Sequence, residues 1–472
     1  MMKKRKILTS LCLSLCVLTA VPTMMTSCGG GPVNLPAETE AVTLPDMTDD
    51  REIPEDILAT YEGKLEDAFS SNTPVAAEDL TYTLNDDGTA VTVTGYTGAE
   101  VVLILPQEID GVPVTAIAEG AFEDMGNLRA LYIPDSVEAV GFGALKGCKS
   151  MTTLRTPVVS VTAYPYFGAL FGALSHEVNA AEVPDTLTTV ILGGLLETIP
   201  AYSFYDCNSI TCIGLPETVK SIEKFAFWGC FGLEYINLSE TALETLGDRA
   251  FTNCAALLRF DLPATATSVG EAVVEGCGSL CAMTLPFVGG SATQNTYLGY
   301  LFGAASYTFT QGFIPVTLQE IRLLPGCKTI PDNAFFEVSS VARVIIPDTV
   351  TSVGRRAFYG CERLTSLTLP DGVTQIGDDA FHGCIRLQEV TLGSALNDLG
   401  VQAFMDCLSL KAVDLPTSLT AIPNSCFAGC VSLETVTAPG VTSADHVGLQ
   451  AYRHCDKLTK APFMPVVTEI EE

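Results

Sequence analysis

The sequence predicts a repeat solenoid of the α/β type, in which short units of the chain stack and each buries the apolar face of the next. The main indication is a cysteine that recurs every 23 residues, at Cys361, Cys384, Cys407 and Cys430. A fixed period of this length is the signature of stacked repeats. The composition agrees, because 47% of the 472 residues are hydrophobic and only 17% are charged, so most of the chain should fold.

Each unit carries apolar residues at fixed places around its cysteine. An Ala-Phe pair such as Ala380-Phe381 ends three residues before the cysteine, and a leucine such as Leu387 follows three residues after it. The alternating apolar and polar residues that come next predict a short strand that ends near a proline. Thirteen such strands lie between Ala130 and Ala438. They should stack into one long parallel sheet, with the phenylalanines forming a spine on the opposite wall.

A larger duplication overlies the short repeat. Tyr166–Cys230 matches Tyr297–Cys361 without a gap, at an offset of 297 − 166 = 131 positions. Each copy carries an insertion, at about 157–200 and about 287–331, and we expect the two insertions to share one local fold. The repeat region as a whole should span 121–460.

The first residues are typical of an exported protein. A basic start, Lys3 to Lys6, precedes an uncharged apolar run, Ile7 to Val21, which is shorter than the roughly 20 residues that a membrane-spanning helix needs. Met25-Thr26-Ser27-Cys28 resembles the bacterial lipoprotein box, although Met25 stands where leucine is usual. The resemblance implies a signal peptide over 1–27 and a lipid on Cys28. The alternative is ordinary cleavage, with Cys28 as an incidental thiol.

Three further regions flank the repeats. The acidic stretch 28–75 predicts a flexible tether. Residues 76–120 should form an N-terminal hairpin and capping region with its turn at Asn85-Asp86-Asp87-Gly88, and 461–472 form an acidic tail. Within the tether, a short capping helix would place the following apolar residues on one face: Ile57, Leu58, Tyr61, Leu65 and Phe69.

The repeat unit Ala-Phe-x-x-Cys-x-x-Leu-x-x-Leu-x-Leu-Pro-x-x-Val-x-x-Ile-Gly resembles the BspA-type subfamily of leucine-rich repeats over about residues 100–460. The resemblance implies a leucine-rich-repeat superhelix with one long parallel sheet on its concave face and irregular turns on its convex face. It also implies a surface or secreted protein that binds host or bacterial macromolecules. It supplies neither a catalytic residue nor a fixed ligand.

The ten cysteines of the repeat slot have two interpretations. In-register neighbours at strand spacing lie too far apart for disulfides, so we expect buried thiols that act as small apolar fillers. A metal ladder is the less favoured alternative, because no histidine accompanies it. The remaining cysteines of the repeat region could pair locally, and the sequence leaves this open: Cys212, Cys281, Cys327 and Cys426.

The charge and the motifs exclude several classes of function. A formal net charge of −30 disfavours nucleic acid and charge-driven adhesion to lipid, because both need a basic surface. The pair His176-Glu177 lacks the second histidine of a zinc-protease helix, since Ala180 stands there. We therefore expect no enzyme, no cofactor and no metal. Membrane contact should occur only through the N-terminal lipid, and the oligomeric state is left open.

The outward residues of the predicted strands form the candidate binding face. They comprise Tyr132, Arg155, Tyr235, Asn237, Arg259, Asp261, Glu320, Arg322, Arg343, Glu389 and Asp414. The proposed ligand site takes seven of them: Tyr235, Asn237, Arg259, Asp261, Glu320, Arg322 and Arg343. Tyrosine and arginine are enriched where binding energy concentrates. The alternative is a solvated face with incidental cross-strand ion pairs.

The favoured function is that of a cell-surface lipoprotein that binds a protein or another macromolecule, in adhesion or in host–microbe interaction. One rival is a surface protein that captures glycans for uptake. It is disfavoured because only 8% of the residues are aromatic and most of these occupy core slots. The other rival is an enzyme with an unrecognised site. Trp228, which directly follows a spine phenylalanine, fits either a satellite core or an exposed anchor.

Overall fold

The computed structural model describes residues 73–463 apart from Thr162 and Leu195, together with Tyr61, Gly63 and Phe69. All of these belong to one compact unit, Ile53–Glu472. The predicted signal peptide, Cys28, and most of the tether and of the acidic tail lie outside the described residues.

The described chain consists mainly of short strands and turns, with the strands numbered here in chain order. Five strands precede the repeats: β1 Leu80–Leu84, β2 Val91–Tyr96, β3 Val102–Ile104, β4 Glu108–Ile109 and β5 Val112–Ile117. The repeats contribute β6 Ala130–Tyr132, β7 Ala139–Val140, β8 Thr153–Thr156, β9 Thr189–Leu192, β10 Thr198–Ile199, β11 Cys212–Gly214, β12 Ser221–Ile222, β13 Tyr235–Ile236, β14 Thr245–Leu246, β15 Arg259–Asp261, β16 Ser268–Val269, β17 Ala282–Leu285, β18 Glu320–Leu323, β19 Thr329–Ile330, β20 Arg343–Ile345, β21 Ser352–Val353, β22 Ser366–Thr368, β23 Gln375–Ile376, β24 Glu389–Thr391, β25 Asp398–Leu399, β26 Ala412–Asp414 and β27 Thr435–Thr437.

Helices are short where the structure describes the chain. Tyr61 and Gly63 are α-helical, where the sequence predicts a short capping helix, and a separate α-helical turn, α1, spans Asn179–Glu182. The 3-10 helices span Ala77–Asp79, Phe167–Phe171, His176–Val178, Leu238–Glu240, Leu298–Phe302, Tyr307–Gly312 and Ala444–His446. Within these described ranges, no helix has the length and apolar character that crossing a membrane requires.

The strands form two rows along the repeats, and each row pairs in parallel. The first row has fourteen strands among the described residues: β3, β6, β8, β9, β11, β13, β15, β17, β18, β20, β22, β24, β26 and β27. Along the repeats, the second row consists of two-residue strands such as β21 and β23, with Ile, Val or Leu turned inward. In both rows, equivalent residues of adjacent coils pair, as Ser366 pairs with Glu389. The predicted parallel solenoid is therefore confirmed. We call the outward side of the first row the strand face.

The N-terminal strands join the solenoid to a hairpin. β1 and β2 pair antiparallel around the turn at Asn85–Gly88, where the sequence predicts a hairpin, and Gly88 adopts a φ of 69°. β2 then pairs in parallel with β5, and β5 with β7. The second row thus extends from β7 into the residues before the repeats, while its ladder is interrupted between β7 and β10 and between β16 and β19.

The first-row ladder is interrupted after β13, β20 and β24. At the first interruption the coil is one residue longer than its neighbours, since the Cys230 to Cys254 spacing is 254 − 230 = 24, whereas the Cys207 to Cys230 spacing is 230 − 207 = 23. The 3-10 helix Leu238–Glu240 takes up this turn. The coils still stack across the gap, where Leu258 N donates to Glu234 O at 3.3 Å.

The predicted phenylalanine spine is confirmed. Phe358, Phe381 and Phe404 stack face to face, with ring centroids 5.2 and 5.1 Å apart and interplanar angles of 9°. These side chains are fully buried. The stack ends on Tyr452, which lies 6.1 Å from Phe427.

The cysteines of the repeat slot are thiols, and all but Cys455 are buried. They do more than fill space, because nine of the ten slot thiols, all but that of Cys207, donate a hydrogen bond to a spine carbonyl of the preceding coil. Cys384 Sγ donates to Phe358 O, and Cys407 Sγ to Phe381 O, both at 3.2 Å. Burial raises the pKa of Cys384 to about 12, so the thiol stays protonated and can donate.

Two backbone positions in each coil restrict the residue type. The position before the slot cysteine has a positive φ, of 74° at Gly383 and 57° at Asp406. Glycine, asparagine and aspartate tolerate this region best. Gly377 meets a different constraint, because a Cβ there would lie 2.6 Å from Arg355 N of the preceding coil.

The two insertions have the same local fold. Each opens with a five-residue 3-10 helix, Phe167–Phe171 or Leu298–Phe302, which ends on a left-handed glycine. A buried polar residue packs beside each helix, Asn179 in the first insertion and Thr310 in the second, 131 positions apart. The buried residues differ in part, since Phe167 and Asn179 of the first insertion correspond to Leu298 and Thr310 of the second, but both 3-10 helices keep their length and their terminal glycine.

Candidate binding surface on the strand face

The strands β15, β17, β18 and β20 bring most of the predicted site residues onto one face. The register places Arg259, Ala282, Glu320 and Arg343 in one row across the four strands. Asp261, Thr284, Arg322 and Ile345 form the next row. Arg322 and Arg343 lie on adjacent strands, as the sequence predicts.

Acidic side chains offset the arginines of this surface. Arg259 Nε donates to Asp261 Oδ2 at 2.7 Å, and its second nitrogen reaches Asp261 Oδ1 at 3.2 Å. Glu320 lies between the other two arginines, 3.4 Å from Arg343 and 3.9 Å from Arg322. The repulsion expected between like charges is thereby relieved.

The arginines differ in how far they reach solvent. The side chains of Arg322 and Arg343 are 50% and 68% exposed, whereas that of Arg259 is 22% exposed. The guanidinium group of Arg259 is already engaged in the close ion pair with Asp261. Arg322 and Arg343 therefore keep N–H groups directed at solvent, which could meet a carboxylate or a carbonyl of a partner.

Tyr235 and Asn237 have a different environment from the one predicted. Tyr235 is half-buried, and the ring of Tyr61 stacks on it with centroids 5.6 Å apart. Asn237 is buried; its Oδ1 accepts from Leu215 N at 2.6 Å, and its Nδ2 donates to Leu215 O at 3.2 Å. The placement of Asn237 on an accessible face is wrong, because β13 ends at Ile236 and the chain turns inward.

The remaining outward residues lie on either side of this surface. Arg155 forms a two-point ion pair with Asp135, at 2.6 and 2.7 Å, and its guanidinium lies 4.4 Å from the centre of the Tyr132 ring. Glu389 and Asp414 are exposed. Arg155 is therefore already engaged, whereas the two carboxylates are accessible.

The sequence reasoning missed a cluster of half-buried aromatic rings beside the first insertion. Trp228 stacks on Tyr205 with centroids 4.7 Å apart, and Phe225 stacks on Tyr202 at 5.2 Å. His176 of the insertion lies 4.5 Å from the Tyr202 ring. Trp228 thus belongs to a satellite cluster, whose signal in the sequence was the aromatic residue that follows successive spine phenylalanines.

A polar groove of about 410 Å³ follows the second row. Ser352, Gln375 and Asp398 line it together with the backbone of Gly354 and Gly377. Within the described ranges, no three His, Cys, Asp or Glu side chains converge as metal ligands would. The groove is an open trough along the repeats, and its chemistry differs from that of the strand face.

A family model for the BspA type leucine rich repeat region matches the chain in six copies, over residues 110–167, 183–297 and 328–459. The matched residues make up well over half of the sequence. The chain belongs to this family. BspA-type leucine-rich-repeat proteins are typically non-enzymatic, and leucine-rich-repeat solenoids commonly bind proteins or other macromolecules.

The chain is similar to several solved bacterial proteins. A leucine-rich repeat protein from Bacteroides ovatus is 22% identical, with 74% of this chain and 96% of that chain covered and a TM-score of 0.34. A leucine rich cell surface protein from Faecalibacterium prausnitzii is also 22% identical, with 83% and 94% covered and a TM-score of 0.29. A leucine-rich repeat protein from Eubacterium ventriosum is 17% identical, with 83% and 96% covered and a TM-score of 0.28. No functionally curated protein matches the sequence.

Proposed function

We propose that this BspA-type protein is an exported lipoprotein, anchored through Cys28, that binds a protein partner with the strand face of β15 to β24. The observation that carries the proposal is the exposure of Arg322 and Arg343 on adjacent strands of a rigid sheet. Arginine in a fixed position is a frequent source of binding energy in protein interfaces.

Mixed charge is what gives this surface its specificity. The arginines alternate with Glu320 and Asp261, so a partner must present carboxylates opposite Arg322 and Arg343 and avoid them opposite the acidic groups. The exposed Glu389 extends the pattern on β24. Because the rest of the chain is strongly acidic, with a net charge of −30, the arginine pair is a local site of opposite sign.

The proposed location follows from the N-terminal sequence. A basic start, an apolar run and a small residue before Cys28 are the parts of a lipoprotein signal. The acidic stretch that follows would hold the solenoid away from the membrane, since like charges keep a chain extended. The binding face would then meet partners outside the cell.

The experiment is site-specific photo-crosslinking in the native surroundings, with the mature protein carrying p-benzoylphenylalanine at Ser366 or at Glu362. Both residues are exposed and lie four positions apart, but Ser366 is on the strand face and Glu362 is in the turn before it. We expect a partner protein to be captured from position 366 and not from position 362. Capture from position 362 alone would contradict the proposal.

A glycan array probed with the same mature protein forms the second arm of the test. Binding to a glycan that the Arg322→Ala and Arg343→Ala changes leave intact, with no captured protein, would replace the proposal with the glycan-capture alternative. The two results are distinguishable because the Arg322→Ala and Arg343→Ala changes weaken binding only of a ligand that contacts the strand face.

A further inference from the structure

The outward side chains of the first coils differ from those of the later coils. Ala130, Thr153, Thr189, Cys212 and Tyr235 form one register row across β6, β8, β9, β11 and β13. Small and apolar residues dominate this row. The equivalent positions of the later strands carry polar or charged side chains at Arg343, Ser366 and Glu389. A sheet face in contact with water normally carries polar side chains, so the small and apolar residues of β6 to β13 are not expected on such a face.

Within this register row, Ala130, Thr189 and Cys212 are buried, whereas Thr153 and Tyr235 are half-buried. Cys212 has no exposed surface, and Ala130 and Thr189 are 7% and 8% exposed. None of the three belongs to the hydrophobic core cluster between the two rows of strands. In contrast, Ala412, which is an alanine at the same place in a later coil, is exposed. Burial at this position has two sources, since Ala282 of β17 is 1% exposed between Arg259 and Glu320, whereas the early part of the strand face is contacted by residues from before the solenoid.

Two aromatic residues from before the solenoid lie on that part of the face. The Tyr61 ring stacks on Tyr235 at an interplanar angle of 8°, and its hydroxyl donates to Glu234 Oε2. The Phe69 ring packs edge-on against Tyr132, with centroids 5.4 Å apart. Tyr61 is only 8% exposed. Tyr132 and Tyr235 mark the two ends of the small-residue row.

The spacing along the chain fits the spacing across the sheet. β6 and β13 are four strands apart, which is about 19 Å at about 4.8 Å per strand. The eight residues from Tyr61 to Phe69 span about 12 Å as a helix and about 26 Å when extended. Two large side chains reaching outward from that stretch can therefore contact both ends of the row at once.

We propose that Tyr61 and Phe69 act as a built-in ligand of this protein, docked on the strand face at β13 and at β6. The strand face is then divided into two parts. The first, up to Tyr235, binds the protein's own N-terminal stretch, and the second, from Arg259 onward, remains open. This contact lies within the chain and does not depend on the partner surface proposed above.

The test uses the reactivity of the Cys212 thiol in the reduced, native mature protein, measured by alkylation and mass spectrometry. In the parent, Cys212 should react as slowly as the core thiol Cys407 and more slowly than the half-buried Cys281. In the Tyr61→Ala/Phe69→Ala variant, Cys212 should react on the order of tenfold faster, because the loss of two aromatic contacts favours the open state. Cys407 should not change.

The matched control is Tyr82→Ala/Phe313→Ala, which removes one tyrosine and one phenylalanine that are 36% and 43% exposed elsewhere. It should leave Cys212 protected. An unchanged Cys212 rate in the Tyr61→Ala/Phe69→Ala variant would overturn the proposal, as would rapid reaction of Cys212 in the parent. If Cys407 also becomes reactive in the double variant, the alkylation rates of Cys212 and Cys407 are compared in the single Tyr61→Ala variant instead. There, faster reaction of Cys212 alone supports the proposal, and an unchanged Cys212 rate overturns it.

Discussion

The spine ring of Phe381 is the position where the stacking of coils can be tested most sharply. Its side chain is fully buried between Phe358 and Phe404, and its carbonyl accepts the thiol of Cys407. Phe381→Ala leaves a ring-sized cavity and removes the stacking contacts with Phe358 and Phe404. We expect it to lower the free energy of unfolding by about 3–5 kcal/mol, as phenylalanine-to-alanine changes in protein cores do. Urea unfolding followed by circular dichroism measures the change.

The terminal ring provides the comparison. Tyr452 has a spine neighbour on one side, Phe427, so Tyr452→Ala should cost less than Phe381→Ala, because end repeats have one neighbour. Its hydroxyl is buried without a hydrogen-bond partner among the described residues. Tyr452→Phe should therefore maintain the free energy of unfolding or raise it by about 1 kcal/mol. Equal urea midpoints for Phe381→Ala, Tyr452→Ala and the parent would refute the reasoning.

Three further predictions concern backbone contact, the thiols and the anchor. Gly377→Ala should cost about 1–3 kcal/mol in urea unfolding, because its Cβ would meet Arg355 N, whereas Gly278→Ala, where nothing lies within 4 Å, should be near neutral; equal effects would contradict the close approach. The pKa of Cys384 is raised by burial from 9.0 to about 12, so its stabilising contribution is complete below pH 9 and is lost as the pH rises towards 12; unfolding free energies that do not fall over that range would count against protonated thiols. Cys28→Ala should release the protein from membranes or leave it unprocessed, and mature Cys28→Ala protein that still fractionates with membranes would rule the anchor out.

The interior of the solenoid could be predicted from the sequence because it repeats. The Phe, Cys and Leu positions recur at a fixed spacing, so one consistent frame places Phe381 in the spine and Leu367 inside the sheet. The interruption of the ladder after β13 coincides with the coil of 24 residues between Cys230 and Cys254, whereas the interruptions after β20 and β24 lie between coils of 23 residues and have no such signal. The alternation of inward and outward residues was extended past the additional residue of the 24-residue coil, and Asn237 was therefore wrongly predicted to point outward.

The chemistry of the cysteine slot was only partly predictable. Size and burial identify a small apolar residue there, but the thiol also donates to a spine carbonyl of the preceding coil. The signal was the recurrent 26-residue separation of donor and acceptor, as in Cys384 and Phe358, which becomes 27 at Cys254 and 28 at Cys455. A separation becomes informative only once the path of the chain around each coil is known.

Contacts between distant parts of the chain were beyond the sequence. Tyr61 and Glu234 lie 173 positions apart, and no period relates them. The same holds for the balance of charge on the strand face, where Glu320 offsets Arg322 and Arg343 across two strands. Periodicity predicts which side chains point outward, whereas their pairing depends on rotamers and on what covers the face.

The most direct test of the proposed function is the affinity of the captured partner for Arg343→Ala, compared with Arg363→Ala in the turn before β22. Both changes remove one arginine, and the two positions lie 363 − 343 = 20 residues apart on different faces of adjacent coils. A fixed, exposed arginine at an interface should be worth at least about tenfold in Kd. We predict that Arg343→Ala weakens binding by that factor and that Arg363→Ala leaves it unchanged. Weaker binding by Arg363→Ala, with Arg343→Ala equal to the parent, would place the site in the turns and contradict the account.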